Sequence, residues 1–280
     1  MKATEFAAKV RRRETVVGYW VQLDSPASTE RLARLGYDYI SLDAQHGLFG
    51  YAGMLAALTA IDAGGRSVGM VRVEANDITP IGRALDAGAT GVIVPLINTA
   101  ADAEKAVVAS RYPPVGARSL GPTRSGLRIG PAPAEANASV IVLAMIETPA
   151  GLANVEDIAA TPGLDGLYIG PADLTLAVGG VGPADPEVAT AFEAALARVR
   201  RACEANGLAA GLHTRSGEEA AKRVSEGFTL LTVASDINHL EAAAAAHLAT
   251  VDLVRDRGRS RRNGFRGKSG RPDTGRSSRG

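Results

Sequence analysis

Two carboxylates stand directly after short apolar runs: Glu147 in "LAMIETPAG" and Asp173 in "GLYIGPADLTL". The chain holds one Cys and 4 His. Two acidic oxygen donors without soft ligands suit a hard divalent cation such as Mg²⁺ or Mn²⁺, completed by water and substrate oxygens. Paired carboxylates also serve glycosidases as acid and base. That use wants an aromatic-lined sugar cleft, and aromatics are 4% of this chain.

Other groups narrow the chemistry. Arg72 in "GMVRVEAND" is a fixed positive charge able to stabilise a developing oxyanion. His46 in "SLDAQHGLF" can carry a proton near neutral pH. Asp86, in the helical pattern "ITPIGRALDAG", is a candidate to orient His46. The segment "GPADL" (Gly170, Pro171, Ala172, Asp173, Leu174) makes a turn and opens a helix, whose free N–H groups can receive a carboxylate. A metal, an arginine, a histidine and an anion-binding turn together describe enolate chemistry on a 2-oxo acid. A lysine imine is not expected: Lys2, Lys9, Lys105, Lys222 and Lys268 lie at the N-terminus, on expected helices or in the C-terminal tail.

These groups need a scaffold that brings distant segments together. Eight β-rich runs (15–23, 37–43, 66–73, 91–96, 140–147, 166–170, 207–213 and 229–235) alternate with apolar residues at helical spacing. Glycines follow several expected helices, as at Gly36, Gly88 and Gly227. The strands are nearly continuous in Val, Ile and Leu, as in a sheet covered on both faces. This order predicts an α/β fold, a (β/α)8 TIM barrel, whose chemistry gathers at the C-terminal ends of the strands. The groups expected there are Asp43, His46, Arg72, Glu74, Glu147, Asp173, His213 and Asp236, with Asp43 and Asp236 also suited to capping. The loop 111–139 is expected to be functional because of its length.

The 280 residues are 46% hydrophobic and 22% charged, which fits one large domain over residues 1–254. From Arg255 onward the chain carries 10 Lys/Arg and 2 Asp/Glu, leaving 21 basic and 28 acidic residues in the body. Residues 255–280 therefore read as a basic, disordered tail, more a solvated extension than a nucleic-acid arm. Cys203 falls in the apolar rhythm of a helix and reads as core. No apolar run approaches the length of a membrane span, and the N-terminus lacks a signal-peptide core, so a cytoplasmic protein is expected.

From Gly18 to Leu248 the sequence resembles the aldolase/citrate lyase family, in particular its metal-dependent pyruvate aldolases. The resemblance rests on "GYW", "GYDYISLDAQHG", "VRVEAND", "ALDAGATGVIVPLINTAADAEKAV", "RYPPVGARS", "MIETPAGLANVEDIAATPGLDGLYIGPADLTLAVG" and "VASD". It implies a barrel of the phosphoenolpyruvate/pyruvate-binding type, with Mg²⁺, Mn²⁺ or Co²⁺ on Glu147 and Asp173. It also implies Arg72 at the keto oxygen, His46 as acid/base polarised by Asp86, and the backbone at Ala172 and Asp173 around the pyruvate carboxylate. Trp20, Gly170, Pro171 and His213 complete the expected substrate contacts, and a homo-oligomer, a hexamer, is implied. The substrate expected is a 4-hydroxy-2-oxo acid, cleaved to pyruvate and an aldehyde. Three positions depart from the family pattern: Gln45 for Glu, Met145 for Gln, and His213 for an apolar residue. His213 is expected to touch the aldehyde portion. Two rival readings are a citryl- or malyl-CoA lyase, with phosphates on Arg118, Arg124 and Arg128, and a polyanion-binding protein acting through the tail.

Overall fold

The computed structural model describes residues 2–265, with side chains to residue 251. Eight parallel strands close into a barrel in sequence order. They are β1 (Val16–Val21), β2 (Tyr39–Asp43), β3 (Val68–Arg72), β4 (Gly91–Val94), β5 (Ile141–Ile146), β6 (Gly166–Ile169), β7 (Ala209–Thr214) and β8 (Leu230–Ser235). Helices connect them on the outside, and Gly36, Gly88 and Gly227 end helical segments at φ +110°, +103° and +99°. The (β/α)8 expectation holds, and each strand lies within two residues of its expected run or inside it.

Side chains alternate faces along a strand, so each strand feeds two cores. One set, including Tyr19, Leu42, Val71, Val142 and Ile169, packs outward under the helices. The other, including Trp20, Tyr39, Met70, Leu143 and Tyr168, fills the barrel interior. Phe6 and Val10 of the helix Ala3–Arg11 are fully buried and join that interior set, so the N-terminal helix plugs one end. The interior series of each strand can then be followed toward the other end. It runs Val16, Gly18, Trp20 on β1; Tyr39, Ser41, Asp43 on β2; Val68, Met70, Arg72 on β3; and Ile141, Leu143, Met145, Glu147 on β5. On β7 it runs Ala209, Gly211, His213. Apolar below and polar at the top, this parity puts five of the expected groups on the barrel axis.

The boundaries at the C-terminus differ from expectation. Among the described residues the chain divides after Ile237, not at residue 254, into one compact unit up to Ile237 and a second from Asn238. The helix Asp236–Phe265 continues into the segment expected to lack structure, and 266–280 lie outside the described residues. A helix already nucleated lengthens at one hydrogen bond per residue, and arginine is a good helix former, so low apolar content does not stop it. Among the described residues, no helix is long and apolar enough to cross a membrane.

Candidate active site

Asp43, at the end of β2, is fully buried and organises the mouth of the barrel. Its Oδ1 accepts from Arg72 Nε at 2.9 Å and its Oδ2 from Arg72 Nη2 at 2.6 Å, a bidentate pair. Oδ2 also accepts from Trp20 Nε1 at 3.2 Å and Gln22 Nε2 at 3.3 Å. Oδ1 also accepts the backbone N–H groups of Gln45 and His46 at 3.2 and 3.1 Å. Burial opposes the Asp43 charge, but Arg72 outweighs it and holds the carboxyl below its ordinary range. Asp43 thus caps the loop that carries His46 and fixes Arg72. Of the five N–H groups of Arg72, two are spent on Asp43, and the others remain available at the barrel axis.

Glu147 follows β5 and is 3% exposed. Its Oε1 accepts the Leu96 N–H at 2.9 Å, while Oε2 is buried without a partner. Among the described residues it is the one buried carboxylate oxygen so left. Burial, and then the negative charge of Asp173, push the Glu147 carboxyl up, against the opposing pull of the Leu96 N–H and Arg72. Leu96 reaches Glu147 from a left-handed conformation, φ +56°. Gly170 is needed where it stands: a Cβ there would lie 2.6 Å from Glu147 Oε2. Asp173 is exposed in the first turn of the helix Pro171–Ala177. The N–H groups of Ala172 and Asp173 open that helix, whose first internal bond runs from Leu174 N to Gly170 O.

A buried carboxylate oxygen facing a second carboxylate costs free energy unless a cation or proton lies between them. Two hard oxygen donors, one with a buried oxygen left open, fit a divalent ion with further positions for water and substrate. No third His, Cys, Asp or Glu joins them among the described residues.

Trp20 stacks on Tyr168, with ring centroids 6.1 Å apart. Above it stands His213, edge-on to Trp20 at 5.3 Å. Burial and the nearby Arg72 charge push the His213 imidazole down to about 4, so it is neutral at physiological pH. His46 is exposed in the loop after β2. Glu74 is also exposed and joins none of these contacts. Asp236 is not a simple cap: its carboxylate accepts the N–H groups of Gln22 and Leu23, tying the end of β1 to β8.

Two expectations are corrected by the direction of the chain. Asp86 ends the helix Ile78–Asp86, five residues before β4 begins, so it lies at the N-terminal end of the barrel. His46 lies at the other end, a strand's length away, so Asp86 does not polarise the His46 of its own chain. Instead Asp86 accepts from Arg118 Nη2 at 2.6 Å. The long loop 111–139 leads from a helix into β5 and belongs to that same end. Its Arg124 and Arg128 both pair with Asp62. The arginines offered as a nucleotide-phosphate cluster are therefore engaged with Asp86 and Asp62, and stand away from the mouth.

Sequence reasoning passed over Gln22 and Leu96. Gln22 continues the interior parity of β1 and could have been found by counting in twos. The Leu96 contribution is a backbone N–H, which leaves no residue-type signal.

An Arg–Asp pair, two carboxylates and an imidazole at the mouth of a parallel barrel suit the making and breaking of carbon–carbon bonds, and the comparisons agree that the chain is an aldolase, a carbon–carbon lyase. Its residues 16–243 match the model of the HpcH/HpaI aldolase/citrate lyase family. It is 41% identical over 231 residues to the hydroxypyruvate/pyruvate aldolase of Rhizorhabdus wittichii, covering 82% of this chain and 91% of that one. It is 34% identical over 243 residues to the 5-keto-4-deoxy-D-glucarate aldolase of Klebsiella pneumoniae, covering 85% and 93%. The crystal structure of an HpcH/HpaI aldolase/citrate lyase family protein from Burkholderia cenocepacia superimposes with a TM-score of 0.80 at 33% identity, covering 89% of this chain and 99% of that one. The chain belongs to the HpcH/HpaI aldolase/citrate lyase family.

Proposed function

We propose that the enzyme reversibly cleaves a 4-hydroxy-2-oxo acid to pyruvate and an aldehyde, using a divalent ion, Mg²⁺, Mn²⁺ or Co²⁺, held by Glu147 and Asp173. The observation that carries this reading is the partnerless, buried Oε2 of Glu147, beside Asp173 and across from Arg72. When bound, the ion acts as a Lewis acid toward the 2-oxo acid and eases build-up of negative charge, an effect of several kcal/mol.

The chain's own residues supply the rest. The N–H groups of Ala172 and Asp173 receive the substrate carboxylate. The N–H groups of Arg72 not used by Asp43 face the keto oxygen and stabilise the charge that develops on it. Asp43 keeps that guanidinium from swinging away. In the cleavage direction the C4 hydroxyl gives up its proton, the C3–C4 bond breaks, and its electron pair becomes the enolate as the aldehyde leaves. His46, at the rim, takes the hydroxyl proton and returns a proton to C3. Trp20 walls the pyruvyl pocket.

The role of Asp86 as partner of His46 is retained only across subunits: Asp86 must come from a second copy of the chain. A homo-oligomer, hexameric by the family resemblance, and a cytoplasmic setting belong to the same reading. The CoA-lyase alternative loses its arginines to the far end of the barrel. The polyanion alternative rests on a tail of which residues 266–280 lie outside the described ones.

Pyruvate release from a panel of 4-hydroxy-2-oxo acids, with and without chelator, tests the proposal. Release that stops with EDTA and returns with added Mg²⁺ or Mn²⁺ is expected. Release unaffected by a metal-free medium would overturn it.

A further inference from the structure

The N-terminal end of the barrel holds polar groups that the chemistry at the mouth does not use. A cavity of about 380 Å³ lies there, lined in part by Lys2, Thr4, Asp62, Thr90 and Arg128. The helix Ala3–Arg11 starts in its wall. Its N-cap residue, Lys2, makes no side-chain capping bond, and the first bond of the helix runs from Phe6 N to Lys2 O. The N–H groups of Ala3 and Thr4 therefore precede the helical ladder, at the positive end of the helix dipole. Phe6 and Val10, fully buried, fix the helix in place. A second group reaches the cavity from another part of the chain. Thr90, just before β4, is 5% exposed and lines the cavity. Its N–H donates to Gly69 O at 2.7 Å and its C=O accepts from Ile141 N at 3.0 Å, so its backbone is held between β3 and β5. Its hydroxyl has no hydrogen-bond partner among the described residues, and it is not sealed into the core, so its opening is into the cavity.

The charge of the lining is positive. Asp62 is its one acid, and that carboxylate already pairs with Arg124 and, at 2.9 Å, with Arg128. Gly88, at φ +103°, makes room for this, since a Cβ there would collide with Arg124. Two guanidinium groups and the Lys2 ammonium thus stand against one carboxylate. Free N–H groups at a helix start, a fixed hydroxyl and surplus positive charge suit an anion with several oxygens and more than one charge. We infer that this end of the barrel binds a phosphate group, as the free ion or on a small monoester. Its oxygens accept from the Ala3 and Thr4 N–H groups and the Thr90 hydroxyl, with Lys2 and Arg128 beside it. A carboxylate brings two oxygens and a single charge to the same donors, and so fits less well. The site is separate from the metal and the 2-oxo acid at the mouth and does not depend on that reading.

The test is calorimetric titration of the full chain with inorganic phosphate and, separately, with glycerol 3-phosphate. One phosphate group per chain should be taken up, more weakly as salt is added. Thr90→Val keeps the shape and removes the donor, and should weaken uptake about tenfold. Arg128→Gln leaves Asp62 paired with Arg124 and should weaken it about threefold. Arg72→Gln and Glu147→Gln, at the mouth, should leave it unchanged. Tighter uptake of the monoester would assign the site to a phosphorylated metabolite, and equal or weaker uptake to the free ion; both agree with the inference. Uptake untouched by both Thr90→Val and Arg128→Gln, or lost in Arg72→Gln, would overturn it. So would displacement by acetate at equal concentration, or no uptake at all.

Discussion

At the N-terminal end of the barrel the carboxylates Asp165, Asp86 and Asp62 are paired with arginines. Asp165 accepts from Arg11 Nε at 2.7 Å and Arg111 Nη2 at 2.9 Å, and also from the Val142 N–H at 2.8 Å. Asp86 has Arg118, and Asp62 has Arg124 and Arg128. At the C-terminal end, Asp43 is matched in the same way, but Glu147 Oε2 is not. Similar residue types therefore do different work at the two ends. Buried charges that find partners at home stabilise the barrel. A buried carboxylate oxygen without one, as on Glu147, suits a bound cation.

Substitutions at each end separate the two roles. Glu147→Gln keeps the shape of the side chain but removes the charge, so turnover should fall about 10³-fold. Its circular dichroism spectrum and melting temperature should stay close to those of the parent, since no protein cation depends on Glu147. Loss of folding would instead put Glu147 in the same class as Asp165. Asp165→Asn should do the opposite, leaving Arg111 and Arg11 partly unmatched. Stability in urea should drop by about 3 kcal/mol, with kcat of the folded enzyme retained. A large drop in kcat at unchanged stability would break the division between the ends. Arg72→Lys lies between them: a point charge replaces a bidentate fork, and kcat should fall about 10²-fold, with a smaller change in KM. A change confined to KM would make Arg72 a binding group with no share in stabilising the enolate.

The strands and the groups at their ends were legible because both follow a period of two. Glu147, Arg72 and His213 close interior series that begin with Ile141, Val68 and Ala209, and an apolar run ending in a polar residue records that on the page. The roles of Asp43 and Asp86 were not legible. A sequence shows Asp43 ahead of a turn, which suits a cap, but not the Arg72 fork that reaches it from the next strand. Asp86 looked near His46 because its helix follows the Arg72 strand. A helix runs back down the barrel, however, and its last residue is at the wrong end. The arginines of the long loop misled for the same reason: loop length signals function only where the loop joins a strand end to a helix start.

The most direct measurement is a titration of metal-stripped protein with Mn²⁺, followed by loss of the free-ion electron paramagnetic resonance signal. One Mn²⁺ per chain should be taken up, with uptake tightened by pyruvate and abolished in both Glu147→Gln and Asp173→Asn. Uptake that survives both substitutions, or no uptake by an enzyme that still forms pyruvate, would contradict the assignment of Glu147 and Asp173 as the ion's holders.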